Sequence, residues 1–148
     1  MPPPEKGARR PDPAAFGAAI PPGLGINLLV ADVDRAARWQ AEALGAEILY
    51  WEDDFAVLRL LGAEWQLHSD RSYRNHPLRG AVAGLEARGA GVELRLYGLD
   101  PDAAEARVRA MDGVVLAPAA DKPHGLREVH LVDPEGYVWA PCRPLAPA

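Results

Sequence analysis

Three observations predict an α+β fold of two βαβββ modules that form a half-open barrel with a concave cavity. The first is the order of elements: a short apolar run, a capped helix and three strand-like runs occur twice in the 148 residues. The second is a gapless internal match. Asp32 corresponds to Asp100 and Gly45 to Gly113, both at an offset of 68 (100 − 32, 113 − 45), and Ala36 meets Ala104 while Gly23 meets Gly91. The third is the stretch Arg127 to Trp139, two strand-like runs joined by Asp133-Pro134-Glu135-Gly136. Pro134 presets φ at the first corner and Gly136 tolerates φ > 0 where the chain reverses. Glu128 and His130 alternate with Val129 and Leu131, so the two polar side chains leave one face of the strand together. A single module covers one sheet face with its helix. The other face needs cover, and two modules side by side, in one chain or across a dimer, enclose a cavity.

Residues 1–22 are rich in Pro, Ala and charge without a period of 2 or 3.6, which predicts a flexible or loosely docked tail; an arm against a partner subunit is the alternative. The first module spans 23–70. Gly25–Val30 is a strand, Asp32 caps a helix, and Gly45 closes that helix after Leu44. Ala46–Trp51, Phe55–Leu61 and Glu64–His68 are strands, with turns at Asp53-Asp54 and Gly62-Ala63. Residues 71–90 are a long connection in which Leu78–Ala87 could hold a short helix. The second module spans 91–143: strand Val92–Tyr97, a helix capped by Asp100 with Pro101 at its first position and stopped by Gly113, then strands Val114–Ala117, Arg127–Val132 and Tyr137–Pro141. Residues 144–148 form a tail.

Composition narrows the function. A net charge of −5, with Arg residues scattered among acids, argues against nucleic acid as a partner. No run approaches the ~20 apolar residues of a membrane span, and prolines interrupt any secretory apolar region at the start. The single Cys142 excludes an intrachain disulfide and a cysteine-based zinc cluster. A reducing cytoplasm is the expected setting.

Val30-Ala31-Asp32-Val33 with Trp39 and Leu44-Gly45, their repeat, and above all His124-Gly125-Leu126-Arg127-Glu128-Val129 followed by Asp133-Pro134-Glu135-Gly136-Tyr137, resemble the vicinal oxygen chelate superfamily. Its members include glyoxalase I, bleomycin-resistance proteins, fosfomycin-resistance enzymes and extradiol dioxygenases. The resemblance covers about residues 23–143 and is closest to the bleomycin-resistance-like branch. It implies four metal-ligand positions, which fall on Gly25, Gln66, Glu93 and Ala140. Two of these carry no ligand atom, and a catalytic divalent ion wants about three protein ligands. No metal or other cofactor is therefore expected. Gln66 and Glu93 remain weak candidates for a divalent ion, and a rearranged set of Glu93, His68 and His130 is the alternative.

Strand alternation sorts the cavity-facing side chains. Asn27, Gln66, His68, Arg95 and Tyr97 are candidate ligand-binding residues, as are Trp51 at a strand end and His124 and Arg127 near the expected mouth. Glu93, His130 and Glu128 are the catalytic candidates if the chain is an enzyme, although Glu93, Arg95 and Glu128 could equally form a structural ion-pair network. Trp139, Tyr73 and Tyr137 are further aromatic candidates, with Trp39 and Trp65 assigned to the core. The leading reading is metal-independent small-molecule binding by a homodimer. The alternative is a lyase, isomerase or dioxygenase with an atypical metal or acid–base site. A partner-binding module using the N-terminal arm is the third.

Overall fold

The computed structural model describes residues 2–8 and 10–146, without the side chain of Arg79. The elements are α1 (Pro13–Ala19), β1 (Asn27–Val30), α2 (Val33–Trp39), β2 (Glu47–Trp51), β3 (Phe55–Leu60), β4 (Ala63–Ser69), α3 (Pro77–Val82), β5 (Glu93–Tyr97), α4 (Pro101–Ala110), β6 (Val114–Asp121), β7 (Leu126–Val132) and β8 (Val138–Pro144). They build two four-stranded sheets, in the orders β1-β4-β3-β2 and β5-β8-β7-β6. In each sheet the first strand of the module pairs in parallel with the last, and the other pairings are antiparallel. This is the duplicated βαβββ architecture that the repeat predicts. Helix α2 packs on the first sheet and α4 on the second, each burying a stripe of small and branched residues: Val33, Ala36 and Ala37 on α2, Ala104 and Val108 on α4. The opposite sheet faces stay concave and open.

The caps act as the sequence indicates. The Asp32 carboxylate accepts from the Arg35 N–H, and Gly45 closes the helix in the left-handed region at φ 78° after a wider π turn over Gln40–Leu44. In the second module the Asp100 carboxylate accepts from the Asp102 and Ala103 N–H groups. Gly113 plays a different part from the one expected. The helix already ends at Ala110, and Asp112 takes the positive φ of 53°. Glycine is required at 113 because a Cβ there would lie 2.7 Å from Val108 Cγ1.

The N-terminal segment is better docked than its composition predicts. Asp12 caps α1, whose Phe16 sets its ring edge-on to Phe55 at 6.2 Å. Upstream, the Gly7 N–H donates to the Trp51 carbonyl, and Lys6 bridges Asp34 and Asp53.

The Asp133–Gly136 turn joins the modules. Inside it, the Asp133 carboxylate accepts from the Glu135 and Tyr137 N–H groups and from Trp139 Nε1. Burial pushes the Asp133 carboxyl up, and those three donors pull against that rise. Across the joint, the Glu135 carboxylate accepts from the Ala31 and Asp32 N–H groups at 2.7 and 3.1 Å, at the start of α2. Tyr137 donates its hydroxyl to the Leu29 carbonyl, and the rings of Trp65 and Trp139 meet at 5.5 Å. Gly136 sits at φ 88°, and a Cβ there would come within 2.0 Å of the Glu86 carbonyl oxygen. Gly136→Ala is expected to destabilise the protein by at least about 2 kcal/mol, from a backbone collision added to left-handed strain. Urea unfolding measures this, and an unchanged midpoint would contradict the close approach.

Candidate functional site

The concave face of the second sheet carries a charged cluster. Register places Arg95 of β5 beside Ala140 of β8, and β8 lies between β5 and β7. The Arg95 side chain crosses β8 over the buried Ala140 to donate Nη2 to Glu128 Oε2 on β7 at 2.6 Å, while its Nη1 donates to Glu93. A larger residue at 140 would obstruct that path. His130 Nε2 lies 3.0 Å from the same Glu93 oxygen, and His124, on the β6–β7 turn, approaches Glu128 at 3.5 Å. The guanidinium beside Glu128 holds that carboxyl below its usual range against the opposing effect of burial. A hollow of about 540 Å³ opens beside the cluster, lined by Glu93, His130, Val132, Val138 and the 86–92 segment.

The concave face of the first sheet is neutral and aromatic. Asn27 on β1 lies opposite Gln66 on β4. Gln66 Oε1 is 3.2 Å from His68 Nε2, and Asn27 Nδ2 donates to the Tyr73 hydroxyl. The His68 ring lies between Phe55 and Tyr73, with centroids at 5.0 and 4.8 Å, and burial lowers its proton affinity. A second hollow of about 750 Å³ runs from Gln66 and Asn27 to the segment 19–26 and Phe16. The linings of the two hollows share no residue. Strand alternation thus assigns both polar sets to concave faces, but on different sheets: Asn27 and Gln66 line one hollow with His68 next to Gln66, while Glu93 and His130 line the other with Arg95 next to Glu93 and Glu128 next to Arg95.

Four candidates are corrected: Trp51, Arg127, Trp139 and Tyr137. Trp51 is 4% exposed: its Nε1 donates to the Pro4 carbonyl, and Lys6 and Arg38 lie over its ring. The docked N-terminal segment takes the place a ligand would need. Arg127 points to the helix side of β7, where it binds Asp102 of α4 and Asp121 at 2.6 and 2.9 Å. The alternation that sends Glu128 inward sends Arg127 outward. Tyr97 is 64% exposed, with the Arg95 guanidinium over its ring. Trp139 and Tyr137 belong to the core, as do Trp39 and Trp65. Phe16 and Phe55 are contributors that sequence reasoning passes over, because Phe16 lies in a segment without periodicity.

The four transferred metal-ligand positions divide between the faces. Gly25 and Gln66 line the hollow of about 750 Å³ on the first sheet; Glu93 lies on the second sheet, and Ala140 is a buried methyl under Arg95. Glu93 is already engaged by Arg95 and His130, so a divalent ion there would stand against a fixed guanidinium. Among the described residues no group of three or more His, Cys, Asp or Glu side chains is arranged to hold a metal. These residues do not fit the metal centre that the resemblance implies.

The paired carboxylates set an acid limit to stability. Hydrogen bonds lower Asp54 (chiefly from Ser69), Glu105 (from the Ala119 N–H) and Glu128 (from Arg95). A lowered carboxyl stabilises the fold above its unfolded value, near 4 to 4.5, and that contribution is lost as pH falls through the folded value. His68, also lowered, adds a loss that begins below about pH 6.5. Asp133, raised, runs the other way. The urea midpoint is expected to be level between pH 7 and 8, to slip below pH 6.5, and to fall steeply below about pH 4.5. A midpoint that rises on acidification would contradict these assignments.

No protein-family model matches the sequence. No curated protein matches it either. Solved structures do. A glyoxalase/bleomycin resistance protein/dioxygenase from Nocardioides superposes with a TM-score of 0.66 at 21% identity, over 91% of this chain and 93% of its own. A protein of unknown function from Agrobacterium tumefaciens gives 0.67 at 23%, over 84% and 94%. A glyoxalase-related enzyme from Fulvimarina pelagi gives 0.66 at 18%, over 84% and 88%. These likenesses show a glyoxalase/bleomycin-resistance-like fold, the fold that the motifs predict.

Proposed function

We propose that this chain is a glyoxalase/bleomycin-resistance-like protein that binds a small molecule on its concave sheet faces without a metal. The observation that carries the reading is the Arg95 guanidinium lying across Ala140 between Glu93 and Glu128, where the related enzymes place metal ligands. A fixed internal cation that satisfies both carboxylates provides a wall and a hydrogen-bonding surface, and it leaves no open coordination position. Sequestration asks for affinity and a shaped hollow, and both hollows fall in the size range of small-molecule sites. The test is a compound screen by thermal shift in EDTA. A ligand that raises the melting temperature and is recovered unchanged supports the proposal; binding that requires a divalent ion contradicts it.

A second reading rests on Glu93 and His130, 3.0 Å apart in the lining of the hollow of about 540 Å³. A carboxylate that orients an imidazole is a general acid–base pair, suited to proton abstraction beside a carbonyl. Turnover of an identified substrate that is lost in Glu93→Gln would establish it.

The proposal extends to a homodimer. Val92, in the lining of the open hollow, and Val114 and Leu116 on the edge strand β6 are each more than half exposed. An apolar fringe of this kind suits cover by a second copy across a two-fold axis. Sedimentation at micromolar concentration distinguishes the dimer from a monomer.

A further inference from the structure

We infer that residues 16–26 turn the first concave face into a complete pocket within one chain, and that this pocket takes flat, uncharged molecules bearing a carbonyl or amide group. The inference deepens the binding reading above and rests on it.

The wall is held at both ends and stands off in the middle. At one end Phe16 meets Phe55; at the other the Gln66 N–H donates to the Ile26 carbonyl at 3.0 Å. Between these anchors run Ile20, Pro21, Pro22 and Leu24, an apolar run beside a floor of Asn27, Val57 and Gln66. Ile20 is nonetheless 53% exposed and Leu24 92%, and about 750 Å³ separates wall from floor. Protein interiors close such gaps when nothing else fills them. An apolar span anchored at both ends beside a hollow of this volume leaves room for a guest over Asn27, Val57 and Gln66.

Charge selects the class of guest. The polar groups at the floor are the side-chain amides of Asn27 and Gln66, opposite each other across β1 and β4. An amide offers both donor and acceptor and pairs with a carbonyl or amide. Burial favours the neutral ring of His68 beside them, and Glu64 at the edge is already bound to Arg59 at 2.6 Å. A charged ligand entering here would lose its hydration without gaining a counter-ion. The Tyr73 ring over His68 closes the far end of the face.

The test uses three flat dyes in EDTA: Nile red, which is neutral and carries a carbonyl; anilinonaphthalene sulfonate, an anion; and thioflavin T, a cation. Nile red is expected to bind saturably at one per chain, at least about tenfold tighter than either charged dye. Gly25 lines the pocket, has no heavy atom within 4 Å of an added Cβ, and lies outside the left-handed region. Gly25→Phe should therefore fill the pocket without strain and weaken Nile red by at least about tenfold, with an unchanged melting temperature, while Gly25→Ala retains binding. Phe16→Ser, on a helix with no buried residue, is the independent arm and should weaken the dye severalfold. Nile red binding that ignores both Gly25→Phe and Phe16→Ser overturns this pocket and leaves small-molecule binding elsewhere intact. Tighter binding of a charged dye overturns the ligand class. Failure of all three dyes to bind counts against the pocket and against the binding reading together.

Discussion

Replacing Glu135 with alanine is expected to cost about 3–5 kcal/mol of unfolding free energy, the range for removing one member of a buried charged network. The side chain is 1% exposed and serves two modules at once. Its oxygens accept the Ala31 and Asp32 N–H groups, which open α2 and have no partner within the helix. They also neutralise Arg35 at 3.0 Å and face the buried Arg88 at 3.7 Å. Alanine would leave two backbone donors and part of the Arg88 charge uncompensated. Glu135→Gln keeps the shape and loses the charge, so it should recover part of the loss. A change under about 1 kcal/mol in the alanine variant would mean that the turn does not join the modules.

Arg95→Met is expected to destabilise by about 2–3 kcal/mol, the scale of losing hydrogen bonds to charged groups in a half-buried site. Met keeps the apolar stem over Ala140 and removes the charge. Glu128, with a side chain only 8% exposed, would then be held without its main partner, and its carboxyl would rise. The steep acid loss of stability should therefore move toward neutral pH. Glu128→Gln in the Arg95→Met background should restore part of the stability, and the double-mutant cycle should return a coupling of about 1 kcal/mol or more. Additive single effects would show that the contact carries no energy.

What could be read from the sequence was what depends on neighbours in the chain. The caps at Asp32 and Asp100, the stop at Gly45 and the Asp133–Gly136 turn are local devices. The inward direction of Glu93, Arg95, Glu128 and His130 follows from strand alternation. Arg127 was open to the same reasoning, since a residue next to Glu128 on a strand must point the other way. Trp51 was not, because its burial depends on Pro4 and Lys6, more than 40 residues away in a segment without periodicity. Glu135 reads as a turn residue, and its partners at Ala31 and Asp32 lie over 100 residues upstream. That the two polar sets lie on separate sheets with separate hollows, rather than around one cavity, likewise comes from how the modules dock, which no local pattern encodes.

The most direct measurement is native mass spectrometry of protein purified without a histidine tag. It reads the subunit count, any bound metal and any co-purified small molecule in one spectrum. A dimer whose mass equals two chains, with no transition metal and with any extra mass removed as an organic molecule on mild activation, is the expected result. One metal ion per chain, retained on dilution and exchanged only with chelator, would contradict metal-independent binding and direct the search to an enzyme.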